Sequence, residues 1–182
     1  IFGSSVGISL TDEEKLVLAV GAPLNDGEGS NSGHVRVFKF DEFEPTLRES
    51  TPSPNGKNVS VVPDVKLKFS EDINIGSGYI YIKKKNDDSL AETIDVTSSQ
   101  ISGSGTKVIS IDTSNRLDSS TEYYIQIDST AFQDLAGNNY EGINDKTTLS
   151  FITADVIAPI LSSSNPADDA TAVAIDSNIE LT

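Results

Sequence analysis

Cysteine, methionine and tryptophan are absent from this 182-residue chain, and histidine occurs once, as His34. Without cysteine there can be no disulfide framework, no thiolate metal ligand and no thiol nucleophile. A serine–histidine–aspartate triad would have to be assembled around His34 alone, at the start of a short strand pattern in the first 43 residues, and the sequence supplies nothing further for it. No apolar run approaches the roughly 18 residues that a membrane-spanning helix requires, and no secretory leader is visible. Basic residues are scarce as well. Thirteen Lys and Arg stand against 28 Asp and Glu, for a net charge of −15 spread along the whole chain. Such a surface repels phosphate backbones, which argues against nucleic acids and anionic membranes as partners and makes divalent cations the natural counter-ions.

What the chain does have is alternation. Val65-Lys66-Leu67-Lys68-Phe69, Tyr123-Tyr124-Ile125-Gln126-Ile127 and Thr148-Leu149-Ser150-Phe151 place apolar residues at every second position, the period of half-buried antiparallel strands. Similar short runs at Val6–Leu10, Leu16–Val20, Val35–Phe40, Tyr79–Ile82, Ile94–Val96 and Val108–Ile111 are separated by Gly, Asn, Asp and Ser clusters suited to turns. The pattern predicts an all-β chain with one helical turn, at Ser129–Leu135. Val65, Leu67, Phe69, Ile80, Ile82, Ile125, Ile127, Leu149 and Phe151 are the expected core.

The chain also repeats itself. Pro45 and Leu47 recur 114 residues later as Pro159 and Leu161, and Val59, Val61, Val65 and Leu67 recur as Val173, Ile175, Ile179 and Leu181. Ser53-Pro54 is echoed by Asn165-Pro166 at an offset of 112, which asks for a two-residue slip in one loop. One full unit at 44–155 and the opening of a second at 156–182 are expected. The start at Ile1 and the stop inside an alternating pattern read as a fragment of a longer protein, in which 1–43 and 159–182 are packed less well than the centre.

Phe2-Gly3, Gly21-Ala22-Pro23, the Asn25–Gly33 loop and the strand His34-Val35-Arg36-Val37-Phe38 resemble an FG-GAP repeat, the blade unit of certain β-propellers. Members of that family carry an Asp-rich calcium loop. Here its place holds Thr11-Asp12-Glu13-Glu14-Lys15, without the Asp-x-Asp-x-Asp-Gly spacing, so a plain hairpin turn is the reading there. Residues 44–155 resemble a bacterial Ig-like module of the surface-layer and adhesin type through Leu67-Lys68-Phe69-Ser70-Glu71, Tyr123-Tyr124, Asp134-Leu135-Ala136-Gly137-Asn138 and Leu149-Ser150-Phe151-Ile152-Thr153. That resemblance implies an antiparallel, seven-stranded Greek-key β-sandwich serving as a spacer or adhesive unit in a secreted or cell-surface protein.

Asp134, Asn138 and Asn139, with Glu141 just beyond, offer oxygen ligands on one loop. They could hold calcium, or Asp134 could close an Asx-turn with Gly137 or Asn138 in a left-handed conformation. Asp155 and Asp168-Asp169, near the joint between units, are a second place for calcium. Asp87-Asp88 reads as a solvated hairpin tip, and Asn58-Val59-Ser60 as a chance glycosylation sequon. The expected role is a non-catalytic structural or adhesion segment of a modular extracellular protein. Its partners would be neighbouring modules of the same chain and a surface protein or glycan. The rival reading is the accessory, for example carbohydrate-binding, region of a secreted enzyme, for which Tyr79, Tyr81, Tyr123, Tyr124 and Tyr140 are the candidate platform residues.

Overall fold

The structure is a computed structural model that describes residues 5–10, 16–22 and 34–182. Its first three strands, β1 (Ser5–Leu10), β2 (Leu16–Ala22) and β3 (His34–Phe40), form an antiparallel meander of their own. The Thr11–Lys15 turn, Phe2-Gly3, Pro23 and the Asn25–Gly33 loop lie outside the described residues. Val6, Ile8, Val35 and Val37 in this meander are more than half exposed, as expected of a flank with little packed against it.

Ten strands follow: β4 (Leu47–Thr51), β5 (Gly56–Val59), β6 (Asp64–Ile75), β7 (Tyr79–Lys84), β8 (Leu90–Asp95), β9 (Ile101–Ser102), β10 (Thr106–Asp112), β11 (Glu122–Ile127), β12 (Phe132–Asp134) and β13 (Ser150–Thr153). They build two sheets. One runs β12-β6-β10-β9, with β4 beside the first half of β6; the other runs β5-β13-β11-β7-β8. All pairings in them are antiparallel except β5 with β13, which is parallel. The resemblance implied seven strands. Ten are seen because the first edge is divided between the two sheets as β4 and β5, and because the short β9 and β12 pair for only two and three residues.

The alternation does what its period requires. Val65, Leu67 and Phe69 point inward and are at most 1% exposed, while Lys66 and Lys68 between them face water. All nine expected core residues are buried, joined by Ile73, Ile94, Ile109, Ile111 and Phe132 in one cluster between the sheets. Phe69 sits at its centre, edge-on to Phe132 at 5.6 Å and to Tyr140 at 5.2 Å between ring centroids. Gly103 closes the tight turn into β10 at φ +99°, and a Cβ there would lie 2.1 Å from the Val108 carbonyl oxygen, so only glycine fits.

Of the helical turn expected at Ser129–Leu135, Ser129 and Thr130 form a single turn closed by the Ala131 amide on the Asp128 carbonyl, and Phe132–Asp134 is instead strand β12. Phe132 and Asp134 are both buried while Gln133 between them is only partly so, and the ladder pairs Phe132 with Ile75 and Asp134 with Ile73. Burial of the Phe132 ring against Phe69 and the open edge of β6 outweigh the local preference of a short polar stretch.

Beyond Asp155 the chain forms one small antiparallel pair, β14 (Ser164–Asn165) with β15 (Glu180–Leu181). Its register, Ser164 opposite Leu181 and Asn165 opposite Glu180, is that of Ser50 opposite Leu67 and Thr51 opposite Lys66, moved by 114 residues. The left-handed residues Asn55 and Asn58 reappear in the same way as Asp169 and Ala172, and the Gly56-to-Ser53 backbone hydrogen bond as Ala170 to Ala167. This corrects the alignment of the prolines. The counterpart of Asn165-Pro166 is Thr51-Pro52, at the full period, and no slip in the loop is needed. Ile175, Ile179 and Leu181, the counterparts of buried Val61, Val65 and Leu67, are exposed here.

Candidate functional site

The chain comes into the sandwich at one end and leaves at the other. Leu47 lies opposite Phe69, near the far half of β6, so residues 41–46 arrive where β6 ends and β12 begins. Leu117 donates to the Val61 carbonyl just ahead of β6, and the Thr153 hydroxyl donates to the Asp118 carbonyl, so β13 delivers the chain at the opposite pole.

At the incoming end three carboxylates from three distant segments converge. One oxygen from each of Asp41, Glu71 and Asp134 lies within 4.8 Å of the others. Asp41 sits on the arriving chain. Glu71 is placed by a bulge: between Lys68 and Ile73, β6 advances five residues while its partner β10 advances two, and the excess carries Glu71 to the end of the sheet. Asp134 is the last residue of β12 and is 1% exposed.

Asp134 forms the Asx-turn. Its Oδ1 accepts backbone N–H bonds from Ala136 at 2.8 Å, Gly137 at 2.6 Å and Asn138 at 2.8 Å, and Gly137 takes the left-handed conformation at φ +97°. Asn138 turns its amide nitrogen inward, donating to Asp134 Oδ2 at 2.8 Å, to the Asp41 carbonyl at 2.9 Å and towards the Phe43 carbonyl at 3.3 Å. The loop therefore fastens the incoming chain to the sandwich. A second fastening follows, where the Thr46 amide donates to Ser70 Oγ and the Ser70 amide to the Thr46 carbonyl.

Of the four oxygen donors expected on this loop, Asp134 alone joins the acidic cluster. Asn139 is exposed and engaged through its backbone with Gln133, and Glu141 is exposed and stays outside the cluster. Asp41 and Glu71 take their place, and sequence spacing gave no sign of either. Three acidic side chains suit a hard cation that takes six to eight oxygens, yet Asp134 Oδ1 already accepts three N–H bonds and Oδ2 one from the Asn138 side chain, which leaves the second lone pair of Oδ2 for an ion. Water would complete such a shell.

At the outgoing end Asp155 is tied down rather than clustered. Its Oδ1 accepts from Ser119 Oγ at 3.1 Å and from the Ile157 amide at 3.0 Å, while the Val156 amide donates to Ser119 Oγ at 2.9 Å. Asp168 and Asp169 lie in an exposed turn. At the tip of the β7–β8 hairpin, Asp88 is more than a solvated charge. It accepts from the Tyr124 hydroxyl at 3.0 Å and pairs with Lys146, and both bonds hold its carboxyl below the ordinary range. Along the side of the sandwich a shallow cleft of about 390 Å³ is lined by Glu44, Arg48, Glu49, Tyr140, Glu141 and Thr148, among others. Burial pushes the Tyr140 phenol up to about 12, so it stays protonated there.

Of the five tyrosines, Tyr123, Tyr124 and Tyr140 are buried, and Tyr79 and Tyr81 lie on the outer face of the second sheet. The described residues include no helix long and apolar enough to cross a membrane.

Compared with known sequences, residues 41–153 match the profile of a family described as a bacterial Ig-like domain. The matched segment is the two-sheet unit together with the Asp41–Glu44 inlet. It does not reach the first 40 residues, so the propeller-repeat resemblance gains no support from it. No curated protein matches the chain.

Proposed function

Because the chain belongs to the bacterial Ig-like domain family, whose members are non-catalytic modules common in surface proteins, we propose that it is a structural spacer and adhesion segment of an extracellular or cell-surface protein, coupled in series to its neighbours. The observation that carries this reading is the placement of the two chain ends. Residues 41–46 come in beside the end of β6, and Asp155 leaves beyond its beginning, so each unit adds its own length to an array. With three of its twelve residues taken up by the bulge, β6 spans roughly 30 Å at about 3.3 Å per residue, and the incoming and outgoing segments beyond its ends bring one unit to roughly 40 Å. The same reading makes 1–43 a preceding unit of propeller-blade type and 156–182 the opening of a second Ig-like unit, in line with the repeated register of Ser50–Leu67 and Ser164–Leu181.

In this reading calcium acts at the inlet. Held by the Asp41 and Glu71 carboxylates and Asp134 Oδ2, it would join the incoming chain, the β6 bulge and the β12 loop, and so stiffen the joint between neighbours. The order Asp-x-x-x-Pro recurs there too, since Asp155 stands before Pro159 as Asp41 stands before Pro45.

Solution scattering on one, two and three concatenated copies of residues 41–155 tests the serial arrangement. The longest dimension is expected to grow by about one module length, roughly 40 Å, per copy. Growth by much less, as units folding back side by side would give, rules the spacer role out.

A further inference from the structure

The outer face of the sheet β5-β13-β11-β7-β8 carries a feature that a plain spacer does not need. Tyr79 and Tyr81, two residues apart on β7, both point away from the core, because Ile80 and Ile82 take the inward positions. Tyr79 is 44% exposed and its ring centroid lies 6.2 Å from that of Tyr81. The other three tyrosines are hidden, so aromatic surface is offered at this one spot among them.

Hydrogen-bonding side chains surround the two rings. Gln126 and Thr93 flank Tyr81 on the neighbouring strands, and Asp95 lies opposite Tyr79. Asp128 braces the edge of the pair, its Oδ2 accepting the Tyr79 amide at 2.8 Å. Lys83 Nζ stands 5.3 Å from the Tyr81 ring centroid and is tethered to Gln126 Oε1 at 2.8 Å. Among the described residues Leu90 is the exposed aliphatic side chain of the same hairpin, and it lies at the far end of the patch beside Lys83.

We propose that Tyr79 and Tyr81 form a stacking platform for an uncharged polysaccharide. Sugar rings present flat C–H faces that settle on phenol rings, and equatorial hydroxyls that both donate and accept; with Gln126 tied to Lys83 and to the Asn144 carbonyl, the Thr93 hydroxyl and the carboxylates around the pair supply the matching partners. A flat face with two rings about 6 Å apart addresses consecutive sugars of a chain better than a single sugar, which calls for a concave pocket. Charge selects the class of glycan. A chain of net charge −15, with the two carboxylates of Asp95 and Asp128 against the one ammonium of Lys83 at the platform, repels sulfated and uronate polymers. The inference rests on the reading of the chain as an adhesion segment and gives that segment its ligand class.

Affinity electrophoresis of the 182-residue chain through native gels containing xylan, galactomannan, laminarin or polygalacturonate tests it. Retardation by at least one of the three neutral polymers and none by polygalacturonate is expected. Tyr79→Ala and Tyr81→Ala should each weaken that binding about tenfold, the effect of losing one aromatic anchor, and Tyr79→Phe should leave it within about twofold. Melting curves keep folding separate, since exposed Tyr79 can be truncated with little loss of stability. Unretarded migration in all three neutral gels, retardation by polygalacturonate alone, or full retention of binding in both alanine variants overturns the proposal. Binding to an exposed strand edge in place of the face would give that last result. The spacer role is tested by molecular dimensions and can stand or fall without it.

Discussion

Asp134 and Asn138 are joined by three hydrogen bonds: Asn138 donates its backbone amide to Asp134 Oδ1 and its side-chain amide to Oδ2, both at 2.8 Å, and Asp134 donates its own amide to the Asn138 carbonyl at 2.9 Å. A five-residue loop is thus closed from both ends by one buried carboxylate. Replacing Asp134 by Ala removes the shared acceptor of three N–H groups, of which those of exposed Ala136 and Gly137 can turn to water, for an expected loss of about 1–3 kcal/mol. Asn138→Ala removes the links to Asp134 and to the incoming chain and should cost about 1 kcal/mol. Urea unfolding of both single variants and the double variant checks this, and the double variant should fall short of the sum because the two residues share the same bonds.

Calcium should raise the melting temperature through the inlet cluster. At ten times the dissociation constant the gain is about RT ln 11, or roughly 1.4 kcal/mol, which amounts to several degrees in a domain of this size. Magnesium at matched ionic strength should give less, since it needs a tighter octahedral cage. Glu71→Gln is the variant to compare, because Glu71 lies outside the Asx-turn and its loss leaves that turn intact. Equal shifts with both ions, or an unaltered calcium response in Glu71→Gln, would reduce the cluster to a feature of surface charge.

Glu92 is a second buried carboxylate, 4% exposed on the inward side of edge strand β8. Oε1 accepts from Gln100 Nε2, the Ser114 amide and the Ser114 hydroxyl, and Oε2 from the Asn115 amide. These bonds pin the stretch between β10 and β11 to the sheet edge. Glu92→Ala should cost about 2–4 kcal/mol in chemical denaturation, and Glu92→Gln less, about 1–2 kcal/mol, since the amide keeps one acceptor. Hydrogen exchange should show the loss of protection concentrated around Ser114 and Asn115.

Acid stability should depend on Asp145. The amides and hydroxyls of Thr147 and Thr148 all bond to its carboxylate and hold it well below the ordinary range. A depressed folded-state value means that the contribution is present above the ordinary carboxylate value near pH 4 and is lost as the pH falls below it towards the folded value. The melting-temperature gap between the native chain and Asp145→Asn should therefore be constant between pH 7 and about 5 and close below pH 4. A gap that widened in acid would contradict the assignment.

Much of the fold was legible because period-two alternation maps straight onto burial. Val65, Leu67 and Phe69, or Ile125 and Ile127, need no tertiary information to be placed in a core. Ser129–Leu135 misled because three strand residues are too few to show a period, and the pairing of Phe132 with Ile75 is supplied by a partner far away in the chain. In the acidic cluster Asp134 was visible through the Asp-x-x-Gly-Asn turn it closes. Glu71 and Asp41 were not, since one is moved there by a bulge and the other by the path of the incoming chain, neither of which leaves a local pattern.

The parallel pairing of β5 with β13 has a mechanical consequence. A pull applied through neighbouring units draws the incoming chain and the outgoing chain apart, and β13 is the last strand before the exit while β5 belongs to the first edge. Tension then slides the two strands lengthwise past each other, so the bonds from the Asn55 amide to the Ser150 carbonyl and from the Ala154 amide to the Val59 carbonyl are strained together instead of opening one by one. Bonds that must break in concert resist a pull far better than the same bonds unzipped from one end. The first edge of the sandwich is thus built as a shear clamp along the line between its incoming and outgoing chain.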